Sequence, residues 1–174
     1  ASMGELSEVW GEVNQAAGAA ERLGELLAVQ SEIRSPSHPK PLPEPPRGEI
    51  GFHDVVFSYP SRPDVSALNG VSFRVKPGER VAIVGPSGAG KTTIFALLLR
   101  FYDPKLGTVT VDGVAVNEAN LAELRARFAI VPQETALFAD TIAANIGYGV
   151  GEASRSEIEM AARAAFAHDF IAAL

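Results

Sequence analysis

The sequence predicts an α/β fold: a partial sheet feeding a glycine-rich loop and a helix, an antiparallel β subdomain beside it, and a long amphipathic helix in front. Three observations carry this. Apolar residues recur at helical spacing near the N-terminus, a proline-rich stretch follows, and beyond it short strand-like runs alternate with turn signals. The chain has 174 residues, 47% hydrophobic and 21% charged, which fits a globular class and excludes a mostly disordered one.

Residues 5–34 read as one helix. Leu6, Val9, Trp10, Val13, Ala16, Ala17, Ala20, Leu23 and Leu27 form a stripe, while Glu5, Glu8, Glu12, Glu21 and Arg22 fall mostly elsewhere. Gly11, Gly18 and Gly24 weaken the helix, and close packing against another helix is one reason to keep them. Residues 35–48 hold Pro36, Pro39, Pro41, Pro43, Pro45 and Pro46. Proline removes a backbone donor and fixes φ, so this stretch reads as an extended linker, with a proline-rich docking ligand as the alternative.

Strand character follows in Glu49–Ser58 and Val71–Val75, then a turn at Lys76-Pro77-Gly78-Glu79. Arg80–Val84 reads as a short apolar strand of the buried kind. A helix is expected over Thr92–Tyr102. Gly107–Val111 and Val114–Val116 flank Asp112-Gly113, a hairpin signal. Leu121–Arg127 reads as helix and Phe128–Val131 as strand. Ser156 with Glu159 reads as the capping box of a last helix running to Leu174.

Between the Arg80–Val84 run and the helix lies Gly85-Pro86-Ser87-Gly88-Ala89-Gly90-Lys91-Thr92. It matches G-x-x-x-x-G-K-[ST] at each fixed position, in the strand-then-helix context that the motif requires. Its glycines let backbone N–H groups turn inward around phosphate oxygens. Lys91 can reach the β- and γ-phosphates, and the Thr92 hydroxyl suits Mg²⁺, a hard cation that prefers oxygen. The helix N-terminus adds positive potential. Thr93 completes the candidate cofactor-binding set.

Composition excludes other chemistries. There are no cysteines, hence no disulfide, thiolate metal site or cysteine nucleophile. The three histidines, His38, His53 and His168, are scattered, against a histidine-based metal site. A net charge of −6 argues against nucleic acid as a partner. No run of about 18 apolar residues stands ready to span a bilayer, and the first residues lack the basic flank and apolar block expected of a signal peptide.

From about Gly48 to Leu174 the sequence resembles the ATP-binding cassette of ABC transporters, specifically the exporter type with fused membrane and nucleotide-binding domains. Val55-Val56-Phe57-Ser58-Tyr59-Pro60 is similar to the family's segment around an adenine-stacking aromatic, which implies that role for Tyr59. Val65–Phe73, Lys76–Glu79, Asp103-Pro104 and Gly107–Gly113 are family-like as well. Ala129-Ile130-Val131-Pro132-Gln133 resembles the glutamine loop, which implies that Gln133 senses Mg²⁺ or the attacking water. The run from Gln133 to Ile142 and Asn145–Gly149 continue the exporter pattern, and this region is implied to face the membrane domain. Ala16–Leu23 is similar to the end of the last membrane helix where it extends beyond the bilayer.

The resemblance implies three parts: residues 1–34 as that helical extension, 35–48 as the linker, and 49–174 as the N-terminal half of the nucleotide-binding domain. No Leu-Ser-Gly-Gly-Gln signature occurs, and no four apolar residues ending in Asp-Glu. The family's Mg²⁺-binding aspartate, catalytic glutamate and switch histidine therefore have no counterpart here. Implied cofactors are ATP and Mg²⁺, and implied partners are the membrane domain of the same transporter and a second nucleotide-binding domain. The implied place is the cytoplasmic face of a membrane, a bacterial inner membrane being the expectation. The isolated chain is expected to bind Mg-ATP weakly without turnover. The alternatives are an inert or interaction-only fragment, or another phosphate-loop enzyme such as a small-molecule kinase or a GTPase. Neither an arginine-bearing lid nor Asn-Lys-x-Asp is evident in support of the last.

Overall fold

The computed structural model describes residues 2–29 and 31–174, with side chains described from residue 9 onward. Leu6 of the predicted apolar stripe, and Glu5 and Glu8 beside it, thus lie outside the described side chains. The chain divides into two compact units, Ala1–Ala129 and Ile130–Leu174.

In the first unit, α1 spans Ser2–Ala28 and ends earlier than the spacing predicts; the described residues from there to Arg34 are irregular. Its described side chains are all exposed, Trp10 and Leu27 included. A Cβ built at Gly11, Gly18 or Gly24 meets nothing within 4 Å. The predicted stripe is there, but among the described residues nothing packs on it.

The proline-rich stretch is extended, as its composition requires, yet it is strapped to the unit rather than free. The Lys40 amide donates to the Glu118 carbonyl at 2.8 Å, and Lys40 Nζ pairs with the Glu118 carboxylate at 2.8 Å. Arg127 Nη2 donates to the Pro43 carbonyl at 3.1 Å, and Leu42 is buried in the core.

Four strands form one antiparallel sheet in the order β2-β1-β3-β4: β1 Ile50–Phe57, β2 Leu68–Val75, β3 Leu106–Val111 and β4 Val114–Ala115. On β1, Phe52, Val55 and Phe57 point to the core, opposite Phe73, Val71 and Leu68 of β2. The irregular register between Phe52 and Phe57 coincides with Asp54 at φ 47°. That bulge is pinned by Ser72, whose hydroxyl donates to Asp54 Oδ1 and accepts from the Asp54 amide, both at 2.8 Å. The β3–β4 hairpin turns on Asp112 (φ 51°) and Gly113 (φ 84°), both left-handed, as an Asp-Gly turn of this type demands.

Two further predicted strands do not form. Arg80–Val84 and Phe128–Val131 pair with no strand among the described residues, and Val84 (87%) and Val131 (91%) are exposed. A strand needs a ladder partner for its N–H and C=O groups, and the four-stranded sheet places none beside either run. Val81 and Val84 instead present apolar side chains at the surface.

Helix α2 covers Lys91–Leu98, shorter than the predicted Thr92–Tyr102. It ends in a Schellman motif: the Arg100 amide donates to the Leu97 carbonyl and the Phe101 amide to the Ala96 carbonyl, with Arg100 at φ 52°. Helix α3, Leu121–Ala126, is capped by Asn120, whose side chain accepts from the Ala122 and Glu123 amides. From α3, Arg125 donates to the carbonyls of Leu99 and Arg100 at 3.1 Å each, satisfying acceptors that the end of α2 leaves open. The core joins the inner face of the sheet to Ile94, Leu97 and Leu98 of α2 and Leu124 of α3.

The second unit is helical. Helix α4, Ile142–Gly147, escaped the sequence reading; Thr141 caps it, its hydroxyl accepting from the Ala144 amide at 3.1 Å. Helix α5 is Arg155–Ala164 and α6 is His168–Ala172, so the expected single helix to Leu174 is broken. The break is a second Schellman motif, with the exposed Phe166 at φ 56° where glycine is the usual signal. The capping box is Ser154 with Glu157 rather than Ser156 with Glu159. Glu159 pairs with Arg155 one turn back at 3.0 Å.

The hydroxyl of Ser154 and then its amide hold the Glu157 carboxyl below its ordinary value of 4.5. A depressed carboxyl stabilises the fold above its unfolded value and loses that contribution as pH falls through the folded one. The helicity of α5 is therefore expected to be steady above about pH 5 and to decline in acid below the ordinary glutamate range. Glu157→Gln should flatten that part of the acid limb in far-UV circular dichroism, and an unchanged limb would contradict the assignment.

Candidate functional site

The phosphate-loop candidates sit where the Arg80–Val84 run meets α2, within the first unit. Gly90 occupies the N-cap of α2 in the left-handed region at φ 83°, and no side chain caps the helix. The first-turn N–H groups thus face no capping oxygen, the arrangement that an anion can use. Gly88 is also left-handed at φ 81°, and a Cβ built on it meets nothing within 4 Å, so the loop has room on that side.

Gly90 is held against the start of β2. A Cβ there would lie 2.6 Å from the Ala67 carbonyl oxygen and 2.8 Å from Leu68 Cδ2. Gly90→Ala should combine left-handed strain with this clash and destabilise the first unit by about 2 kcal/mol or more. The urea midpoint measures it, and a loss under about 0.5 kcal/mol would mean the contact is easily relaxed.

Lys91 Nζ folds back onto its own loop, donating to the carbonyls of Gly85 at 2.8 Å and Pro86 at 2.7 Å. This holds a full positive charge over the loop on neutral acceptors, which phosphate oxygens can outcompete. Ser87 and Ala89 are exposed in the same turn, which the Ala89 amide closes by donating to the Pro86 carbonyl at 3.3 Å. Thr92, the metal candidate, is exposed. Thr93 is different: it is buried, and its Oγ1 lies 3.0 Å from the Tyr59 hydroxyl.

That bond brings Tyr59 to the first turn of α2. The ring is half-buried at the end of β1, edge-on to Phe57 (centroids 5.0 Å) and to Tyr102 (5.3 Å). Tyr102 follows the Schellman turn of α2, next to the ion pair of Arg100 with Asp103 at 3.0 Å. Sequence reasoning did not single out Tyr102, and no spacing signal marks it.

Gln133, the glutamine-loop candidate, belongs to the second unit and lies exposed on an irregular segment. The structure therefore gathers Tyr59, Thr93 and residues 85–92 in one unit, and Gln133 is described in the other.

These residues fit a magnesium-bound nucleoside triphosphate. The loop has open space beside Gly88, a cation poised on weak acceptors, an exposed hydroxyl at Thr92 and an aromatic ring anchored to the same helix turn.

Comparison with known proteins agrees with the sequence resemblance. Residues 68–172 match the family described as ABC transporter. The chain is 44% identical over 173 residues to ABC transporter B family member 3 of Dictyostelium discoideum, covering 99% of this chain and 12% of that protein. It is 43% identical over 170 residues to the ATP-dependent lipid A-core flippase of Saccharophagus degradans, covering 98% of this chain and 28% of that one. A solved bacterial Atm1-family ABC exporter with ATP bound superposes with a TM-score of 0.82 at 42% identity, over 98% of this chain and 30% of that one. The chain thus spans less than a third of the length of each of these relatives. No helix among the described residues is long and apolar enough to cross a membrane. With the family match over more than half its length and exporter relatives along nearly all of it, the chain belongs to the ABC transporter family, as part of an exporter-type ATP-binding cassette.

Proposed function

We propose that this chain supplies the phosphate- and base-binding side of the ATP site in an exporter that couples ATP binding and hydrolysis to transmembrane export. The observation that carries the reading is the Lys91 ammonium held on the Gly85 and Pro86 carbonyls at the uncapped start of α2, with Tyr59 tied to that turn through Thr93. In this reading Lys91 and the loop amides bind the β- and γ-phosphates, Thr92 ligates Mg²⁺, and Tyr59 stacks on adenine, while Gln133 keeps the role that the family resemblance implies, sensing Mg²⁺ or the attacking water. The bound ion supplies charge neutralisation at the phosphates.

The 174 residues alone bind Mg-ATP weakly and turn it over negligibly. They contain no Leu-Ser-Gly-Gly-Gln and no apolar run ending in Asp-Glu, so the family's water-activating glutamate has no counterpart among them. Such general-base groups contribute about 10²–10⁴-fold.

The proposed partners are the membrane domain of the same transporter and a second nucleotide-binding domain, at the cytoplasmic face of a membrane. The second unit supports the former: an apolar hollow of about 600 Å³, lined by Leu137, Phe138, Ile142, Ile146, Phe170 and Ile171 among others, stands open on it. The residue division follows the same reading, with 1–34 as the extension of a membrane helix, 35–48 as linker and 49–174 as cassette.

A phosphate-release assay on the purified chain beside Lys91→Ala tests the catalytic half of the proposal. Background-level release in both is the expected result. Release that survives further purification and is abolished by the substitution would overturn it.

A further inference from the structure

The hydrogen bond between Tyr59 and Thr93 spans two parts of the candidate site that the motif treats separately. Thr93 follows the motif's last fixed residue, yet its side chain is buried at 4% exposure and bonds the hydroxyl of Tyr59, two residues past β1. Tyr59 has two other fixed neighbours, Phe57 and Tyr102, both meeting it edge-on. Edge-to-face contacts favour a ring tilt but leave it free to slide within its plane. The bond at the hydroxyl removes that freedom and ties the ring to the turn that carries Lys91 and Thr92.

We infer that Thr93 is a positioning residue for the nucleobase: its hydroxyl fixes the Tyr59 ring at a set distance from the phosphate loop, so that base and phosphates are read together. The inference rests on the nucleotide reading above and deepens it. Thr93 then contributes to the affinity for ATP through Tyr59, and contributes far less to the affinity for a triphosphate without a base.

The test compares Mg-ATP with magnesium tripolyphosphate in calorimetric titrations of the full chain. Tyr59→Phe keeps the ring and removes its hydroxyl. Thr93→Val keeps the shape of the buried side chain and removes its hydroxyl. Each is expected to lower the ratio of ATP affinity to tripolyphosphate affinity by about fivefold, the size of one ordinary hydrogen bond. The double variant should lose no more than either single one, because both remove the same bond. Thr93→Ser, which retains a hydroxyl, should restore the ratio.

Equal losses for both ligands, or losses that add in the double variant, would overturn the inference while leaving nucleotide binding intact. A wild-type chain that binds ATP no better than tripolyphosphate would instead overturn the base-stacking role of Tyr59, and the inference with it.

Discussion

Replacing Lys91 by alanine is expected to weaken Mg-ATP binding by about a hundredfold. Its ammonium already sits over the loop, on the Gly85 and Pro86 carbonyls at 2.8 and 2.7 Å. Binding exchanges these neutral acceptors for ionised phosphate oxygens. A hydrogen bond to a charged partner contributes about 1.5–3 kcal/mol, roughly twice a neutral one. Losing one such contact to the β-phosphate and another to the γ-phosphate gives about two decades of affinity. The side chain is only half-buried, so the cost to folding should stay within about 1 kcal/mol. Calorimetry on both proteins, with a melting curve for each, separates the two effects. A loss of less than about tenfold would mean that the loop amides carry the phosphates without the lysine.

Phe52→Ala should have the largest effect on folding, about 3–5 kcal/mol. Phe52 lies mid-sheet on β1, opposite Phe73 on β2 and Val109 on β3. It is 1% exposed and stacks on Phe73 with centroids 4.6 Å apart and planes 12° from parallel. Truncation removes the transfer energy of the ring and leaves a cavity that a sheet paired on both sides closes poorly. Small domains have only about 5–15 kcal/mol in total, so the first unit should unfold at much lower urea. Trp10, the single tryptophan, sits exposed on α1 and will not report this, so far-UV circular dichroism or hydrogen exchange is the readout. A loss below about 1 kcal/mol would mean that the ring is not central to the core.

The antiparallel part of the fold was legible because its signals are local. Apolar alternation in Glu49–Ser58 marks β1, and Asp112-Gly113 marks the hairpin, since few other residues accept two left-handed positions in a row. The runs at Arg80–Val84 and Phe128–Val131 carry strand-forming residues, but pairing is a property of the neighbours and cannot be read from the run itself. Helix ends misled for another reason. Arg100 and Phe166 take the left-handed place at the ends of α2 and α5 without being glycine, so no punctuation announced them. At the start of α5 the match of Ser156 with Glu159 misled, because an overlapping S-x-x-E begins at Ser154 and the backbone forms the box there.

The candidate site divides in the same way. Gly85–Thr92 was readable because the loop's backbone dictates residue types at fixed spacing. Tyr59 enters as a candidate only by resemblance, because an aromatic at a strand end is ordinary packing by itself. Its bond to Thr93 links residues 34 apart in sequence, and nothing in either neighbourhood foretells it.

Gly85–Thr92 is expected to form a working phosphate site in these 174 residues, although the run preceding it is unpaired. A calorimetric Mg-ATP titration of the chain, with its fold verified in the same sample, tests this most directly. Saturable binding at one site is the expected result. A folded chain that gives no binding heat up to millimolar nucleotide, and no thermal stabilisation by it, would mean that the loop is not a phosphate site here.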